Sequence, residues 1–309
     1  MDGSKETNSF RNTKAIVVLH KGQVIAEKYA NGVTQKTPLL SWSMAKSVTS
    51  LLVGILVKDK NLDIHKANIM PTWEEKVDHK NITIDQLLRM SSGLEFNERY
   101  GVGSDAAKML SVEASASDFA ANKKLEYPID SHWSYSSGTS NIISAIIKEE
   151  VGGSFQYYYE FAQQRLFRPI GIESAVLETD ASGIFIGSSY MYMTARDWAK
   201  LGQLCLQNGR WEGRQMLPKN WMQYVTTPTK TSTLNQYGAH FWLNADPDDK
   251  TLKRHWPSLP TDLYYMSGFQ GQTVAMIPSK DLVIVRLGFT AQGVDRGTEE
   301  LIHDIIELL

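Results

Sequence analysis

The sequence has a single cysteine, Cys205, among its 309 residues. One cysteine excludes an intrachain disulfide and any metal site built from several thiolates. The seven histidines are scattered, no H-E-x-x-H motif is present, and the Gly-bearing stretch GVGSDA lacks the Lys-Ser/Thr pair of a nucleotide loop. We therefore expect neither a metal nor a cofactor.

An excess of charge of one sign and long apolar runs are also missing. The 32 basic and 34 acidic residues give a net charge of -2, so nothing favours nucleic acid or an anionic membrane as a partner. No apolar run approaches the ~20 residues that span a bilayer. The N-terminus MDGSKETNSFRNTK has no signal-peptide core. As given, the chain is expected to be soluble and cytoplasmic, or exported if a signal was removed; the oligomeric state stays open.

What is present is an alternation of strand and helix patterns. The N-terminal run KAIVVLHKGQVIAEKYANG predicts a hairpin that turns at Lys21-Gly22. The last third predicts strands in YGAHFWLN, GQTVAMIP and DLVIVRLGF, followed by a helix in TEELIHDIIELL. These patterns predict an α+β fold in which both termini build one antiparallel sheet. We expect a single domain over 1–309, with an α/β lobe of about 1–60 and 190–309 and a helical lobe of about 61–189.

Helices are expected through the middle of the chain, to about Gln207. One begins near Ser43, and another begins at Thr83 or Asp85 and ends near Gly93. The stretches NIISAIIKEEVGG and SFQYYYEFAQQRLFRPIG end in glycine or proline, which favours helix ends there. Pro218 is expected in a first helical turn.

The stretch SWSMAKSVTSLLVGIL places Ser43 and Lys46 three residues apart at the head of an apolar helix. Residues at this spacing share a helix face, so a neutral lysine there can take a proton from the serine. About one S-x-x-K is expected by chance in a chain of this length. Alone, the pair is equally well explained as a helix cap beside a solvated lysine.

Two later segments complete an ordered set of three motifs. WSYSSGTSN contains Tyr135, and YYMSGFQGQTVAMIPSKDLVIVRLG contains Met266-Ser267-Gly268. With SWSMAKSVTSLLVGIL and ITIDQLLRMSSGL, the chain resembles the penicillin-recognising serine hydrolases from about Thr13 onward. Within them it is most similar to the class C β-lactamase-related esterases and 6-aminohexanoate-dimer hydrolases. The resemblance implies the β-lactamase/transpeptidase-like fold, an antiparallel sheet flanked by helices with an inserted, mainly helical lobe.

The resemblance also implies roles for particular residues. Ser43 would be the acylated nucleophile, Lys46 its base and Tyr135 the group that relays a proton to the leaving group. The backbone amides of Ser43 and Phe269 would form the oxyanion hole. Substrate contacts are expected at four further positions, which are Tyr100, Ser137, Gly268 and Gly271.

Two departures from the β-lactamase pattern bear on the substrate. Ser137 stands where β-lactamases have asparagine, and the third motif, Met266-Ser267-Gly268, has no lysine for a β-lactam carboxylate. These differences favour cleavage of small carboxylic esters or amides. The alternatives are a penicillin-binding protein, weak β-lactamase or D-alanyl peptidase-like protein, a 6-aminohexanoate-oligomer amidase, and an inactive scaffold.

Other residues are weaker candidates for the site. Tyr100 lies in the polar loop FNERYGVGSDAAKML, where it either hydrogen-bonds a substrate amide or merely packs. His132 is a possible neighbour of the pocket, and His240 and His255 flank the final strands. Glu98 and Asp105 could contact substrate, but solvated carboxylates are the default expectation.

Overall fold

A computed structural model describes residues 11–60, 62–291 and 293–309. The first ten residues of the polar N-terminus lie outside this description. Among the described residues, no helix combines the length and apolar character needed to cross a membrane.

The central sheet is antiparallel and has the strand order β2-β1-β11-β10-β9-β8. Its strands are β1 (Thr13–His20), β2 (Gln23–Tyr29), β8 (Trp242–Leu243), β9 (Tyr264–Gly268), β10 (Gln272–Ile277) and β11 (Leu282–Gly288). The pairing of β1 with β11 joins the two ends of the chain, as the alternating patterns predicted. The hairpin turn is also confirmed, because Lys21 and Gly22 both have positive φ angles.

Short strands form two further sheets. One contains β3 (Leu39–Leu40), β4 (Val176–Leu177) and β5 (Met191–Met193), and the other pairs β6 (Arg210–Trp211) with β7 (Arg214–Gln215). These strands were not predicted, because two or three residues are too few to show the apolar–polar alternation of a strand. The first of these sheets leads directly into the Ser43 segment.

The helices occupy most of the middle of the chain, as expected. They are α1 (Met44–Lys60), α2 (Ile84–Leu88), α3 (Asp105–Ser111), α4 (Ala116–Ala121), α5 (Ser137–Glu150), α6 (Phe155–Ala162), α7 (Ala195–Leu206), α8 (Trp221–Val225) and α9 (Thr298–Glu307). Thr83 caps α2 through a reciprocal capping box with Gln86. The expectation for Pro218 was wrong, because α8 begins three residues later and Asn220 precedes its first turn.

Apolar side chains cover both faces of the central sheet. Helix α7 packs on one face, and Gly202 allows the close approach because a Cβ there would strike Val274 and Val283. Helix α9 contributes Ile302 to a second cluster on the opposite face, beside Ile16 and Ile284. Helix α1 is buried from Met44 to Leu56. The Ser43 end of α1 is thus held between the central sheet and the helical region.

Candidate active site

Ser43 lies in a tight turn immediately before α1. The preceding residue, Trp42, has a φ of 47°, a left-handed conformation that is strained for a bulky side chain. Its indole packs edge-on against Phe269 at 5.5 Å and its Nε1 donates to the side chain of Gln270. The Ser41 amide donates to Met191 O at 2.8 Å and anchors the turn to the small sheet. The turn presents the Ser43 side chain to a cavity.

Lys46 is almost completely buried, with 1% of its surface exposed. Its Nζ donates to Ser43 Oγ at 3.1 Å, Ser137 Oγ at 2.9 Å and Ser188 O at 3.0 Å. Burial lowers the pKa of Lys46 to about 8, although the nearby carboxylate of Glu98 acts to raise it. A lysine with this pKa is partly neutral near pH 7 and can accept a proton.

Tyr135 precedes α5 and borders the same cavity. Its ring centroid lies 4.9 Å from Lys46 Nζ, and the rings of Trp242 and Tyr237 pack against it at 5.4 and 5.8 Å. Burial raises the pKa of the Tyr135 phenol well above 10, while the adjacent Ser43 hydroxyl acts to lower it. The phenol therefore carries its proton near pH 7 and can donate it.

Ser137 is completely buried and does not line the cavity, and its expected substrate contact stays a prediction. Its hydroxyl accepts from Lys46 Nζ and donates to Glu98 Oε1 at 2.6 Å. Its backbone amide donates to Glu98 Oε2 at 2.7 Å. Burial raises the pKa of Glu98, opposed by Lys46 and by both hydrogen bonds from Ser137. Ser137 thus connects a base to a carboxylate.

Gly268 ends β9 beside the Ser43 turn, and both Gly268 and Phe269 line the cavity. A Cβ on Gly268 would collide with the carbonyl oxygen of Ser41, so glycine allows the two backbones to touch. Gly271 is different, because it does not line the cavity. A Cβ there would strike the guanidinium of Arg286, and its φ of 87° also favours glycine. Gly271 thus shapes the turn after β9, and its expected substrate contact stays a prediction.

Tyr100 lines the same cavity as Ser43 and has 39% of its surface exposed. Its ring stacks on Phe269 at 5.0 Å and meets Trp42 edge-on at 6.0 Å. Burial raises the pKa of its phenol, and the hydroxyls of Ser43 and Ser137 both act to lower it. The structure therefore brings Tyr100 to the cavity that Ser43 lines.

The cavity has a volume of about 630 Å³. One wall is a continuous row of aromatic residues, formed by Tyr135, Trp242, Tyr265, Trp256 and His255. The far rim is charged and includes Asp295, Arg296, Glu299 and Glu300. A cavity of this size accommodates a small organic molecule.

Among the histidines that the structure describes, His255 alone lines the cavity wall. His132 is exposed and stacks on Tyr127 at 4.2 Å. His240 is buried, with Nε2 bonded to Ser140 Oγ and Nδ1 to Leu88 O, and burial lowers its pKa to about 3. His240 is thus a neutral structural residue behind the site. In the described part of the chain, no group of three or more His, Cys, Asp or Glu could hold a metal ion.

Glu98 is the residue whose surroundings differ most from those expected from the sequence. It is partly buried at the cavity and bonded to Ser137, whereas the sequence suggested a solvated carboxylate. Asp105, in contrast, pairs with Lys123 at 2.5 Å and accepts from the Asn97 amide, so it stabilises the loop. No local pattern distinguishes these two acids in the sequence.

The beta-lactamase family profile matches residues 11–304. The chain belongs to the beta-lactamase family. Like the family, it is a serine hydrolase, and its α+β fold agrees with the resemblance read from the motifs. A 6-aminohexanoate-dimer hydrolase of Paenarthrobacter ureafaciens is 22% identical over 294 residues, 89% of this chain and 72% of that protein.

Solved structures of this family have the same fold. A Bacillus anthracis protein, provisionally assigned as a 6-aminohexanoate-dimer hydrolase, superposes with a TM-score of 0.78 at 25% identity. That match covers 99% of this chain and 81% of the other. A penicillin-binding protein from Bacillus halodurans superposes with a TM-score of 0.74 at 14% identity and covers 98% of both chains. The second likeness concerns the fold alone.

Proposed function

We propose that the protein hydrolyses small carboxylic esters or amides through an acyl-enzyme on Ser43. The observation that carries the proposal is the convergence of Ser43, a buried Lys46 and a protonated Tyr135 at one cavity. We further propose that residues 1–309 act as a single catalytic domain, because the cavity takes residues from both predicted lobes.

Acylation begins when neutral Lys46 takes the proton of the Ser43 hydroxyl. The oxygen of Ser43 then attacks the substrate carbonyl, whose oxygen becomes negative. The backbone amides of Ser43 and Phe269 are the proposed donors to this oxyanion. The contact of Gly268 with Ser41 supports this role, because it holds the two backbone segments together.

The tetrahedral intermediate collapses as the bond to the leaving group breaks. Tyr135 donates its proton to the departing oxygen or nitrogen, and the proton on Lys46 restores the phenol. Water then attacks the acyl carbon, the carboxylic acid leaves and Ser43 regains its proton. These steps balance without metal or cofactor.

The cavity argues against efficient cleavage of β-lactams. Met266 stands where the resemblance implies a motif lysine, and its side chain is completely buried. A bound β-lactam carboxylate would lack that cation. The aromatic wall from Tyr135 to His255 instead suits a substrate with an extended apolar arm, since stacked rings offer a continuous apolar face.

A second candidate within the same chemistry is hydrolysis of linear amides of the aminohexanoate type. The position of Tyr100 favours it, because a phenol above Ser43 can accept a hydrogen bond from a substrate amide N–H. The 6-aminohexanoate-dimer hydrolase among the relatives lends support. A slowly deacylating penicillin-binding protein is the main remaining alternative.

One panel of substrates tests the proposal. Wild type and Ser43→Ala are assayed with p-nitrophenyl acetate and butyrate, nitrocefin and a linear aminohexanoate dimer. We expect ester or amide turnover in wild type only. Unchanged turnover by Ser43→Ala would reject the nucleophile. A lasting penicillin adduct on Ser43, seen by intact mass without turnover of esters or amides, would identify the penicillin-binding alternative. A wild type that a fluorophosphonate leaves unlabelled would be an inactive scaffold.

A further inference from the structure

We propose that Glu98 is a positioning residue that fixes the direction of the Ser137 hydroxyl and thereby aims the lone pair of Lys46 at Ser43. This inference rests on the proposed function, because it assigns Lys46 as the base. It concerns a carboxylate that has no place among the three motifs.

Two hydrogen bonds join Ser137 to Glu98, and Ser137 is the donor in both. Glu98 Oε2 receives the Ser137 backbone N–H at 2.7 Å, and Oε1 lies 2.6 Å from the Ser137 hydroxyl. Burial raises the pKa of Glu98, but Lys46 and both hydrogen bonds from Ser137 favour its ionised form, and the 2.6 Å contact between the two oxygens is typical of a charge-assisted bond. The Ser137 hydroxyl must therefore donate to Glu98.

The direction of the Ser137 hydroxyl determines how the Lys46 amine is hydrogen-bonded. With its proton committed to Glu98, Ser137 Oγ can only accept from Lys46 Nζ, 2.9 Å away. The carbonyl oxygen of Ser188, at 3.0 Å, also can only accept. A neutral amine has two N–H groups and one lone pair, so these two acceptors take both N–H groups. The lone pair is left facing Ser43 Oγ at 3.1 Å.

Replacing Glu98 with glutamine should reverse this arrangement. The Ser137 N–H requires an acceptor, so it would hold the amide oxygen of glutamine. The amide NH₂ would then face Ser137 Oγ and donate to it. The Ser137 hydroxyl would turn its proton toward the lone pair of Lys46, and an N–H of Lys46 would face Ser43. A residue of nearly the same shape would thus disable the base.

The test compares Glu98→Gln, Ser137→Ala and the double variant, with Glu95→Gln on the same loop as the control. We measure the rate of Ser43 labelling by a fluorophosphonate and the high-pH plateau of ester kcat. Glu98→Gln should lose at least about tenfold in both rates, as expected when a reacting group is misdirected. The double variant should have the same two rates as Ser137→Ala. It should be faster than Glu98→Gln, because it has no Ser137 hydroxyl that could turn toward Lys46. Glu95→Gln should match wild type.

Glu98→Asp provides a second comparison, and thermal unfolding checks the fold of each variant. Aspartate keeps the ionised acceptor but is shorter, so it should retain more activity than Glu98→Gln. The proposal would be overturned if Glu98→Asp were less active than Glu98→Gln, or if the double variant were no faster than Glu98→Gln. If the fluorophosphonate fails to label wild type, the proposed function itself is wrong. If it labels wild type and Glu98→Gln equally, only the positioning role is wrong.

Discussion

Lys46 Nζ lies 3.1 Å from Ser43 Oγ, and both residues belong to the first turn at the head of one buried helix. The helix fixes the spacing of the two side chains, and burial brings the pKa of the lysine down to about 8. The same local geometry therefore suits the proposed roles of Ser43 as nucleophile and Lys46 as its base.

Removing the amine should leave Ser43 in place but inactive. We expect Lys46→Ala to lower kcat for p-nitrophenyl butyrate by about 10²–10⁴-fold, the usual contribution of a general base. Ser43→Ala should abolish turnover. Because the two residues act as a unit, the double variant should lose little more than Ser43→Ala alone. Ser111→Ala, at the exposed end of α3, is a matched control; a Lys46→Ala enzyme with wild-type kcat would contradict the role.

The pH dependence of the reaction should report the neutral fraction of Lys46. Since the neutral amine is the active form, kcat/KM should rise about tenfold per pH unit below the pKa of about 8 and level off above it. The histidine and tyrosines around the amine do not change their protonation near pH 8. His240 is neutral because its pKa is lowered to about 3, and burial raises the pKa of the Tyr135 and Tyr100 phenols.

Glu98 allows this assignment to be checked. Its negative charge raises the pKa of Lys46, so Glu98→Gln should shift the acid limb of the profile to lower pH. The measurement is kcat/KM for a short ester from pH 5.5 to 9.5. A wild-type rate that is flat over this range would exclude Lys46 as the titrating base.

The local features of the fold were predictable because they leave local patterns. The hairpin at Lys21-Gly22, the helix after Ser43 and the strands of the last third follow from turn residues and periodicity. YGAHFWLN illustrates the limit of such patterns. Within it, Trp242–Leu243 form a strand, while His240 has a φ of 64° and its amide donates to Leu88 O at the end of α2.

The site was predictable where a motif carries it and unpredictable where tertiary contacts create it. Ser43, Lys46 and Tyr135 stand in recognisable segments, although their catalytic roles remain predictions. Glu98 meets Ser137 across 39 residues of sequence, and that pairing exists only after the loop folds onto α5. Trp242 faces Tyr135 because β8 pairs with β9 at the sheet edge. No spacing in the sequence encodes these contacts.

Tyr100 should distinguish amide from ester hydrolysis. Tyr100 and Ser43 line the same cavity, and the proposed amide substrate would present its N–H to the phenol. Tyr100→Phe keeps the stacking on Phe269 but removes one hydrogen bond, which is worth up to about tenfold in rate. We expect that loss for the aminohexanoate dimer and a smaller one for p-nitrophenyl butyrate, measured as kcat/KM. Equal losses on both substrates would reject the role.

The aromatic wall should set the preference for chain length. Trp242 packs between Tyr135 and Tyr265 and lines the cavity. Because each buried CH₂ contributes about 0.8 kcal/mol, roughly fourfold, Trp242→Ala should reduce kcat/KM more for longer p-nitrophenyl esters. The acetate serves as the internal control. A uniform loss from acetate to octanoate would place the acyl chain elsewhere.

Gly268 should be intolerant of even one added carbon. Its backbone is extended, with a φ of -131°, so alanine adds no backbone strain. The added Cβ would instead strike the Ser41 carbonyl, and either β9 or the Ser43 turn would have to move. We expect Gly268→Ala to destabilise the fold by about 1–3 kcal/mol, as overpacking usually does.

Because the shift separates the amides of Ser43 and Phe269, kcat of Gly268→Ala should fall by about 10²-fold, as for loss of one oxyanion donor. Gly101→Ala, at an open position without a positive φ, is the stability control for substituting a glycine. A Gly268→Ala enzyme that is less stable but fully active would show that the Phe269 amide is not an oxyanion donor.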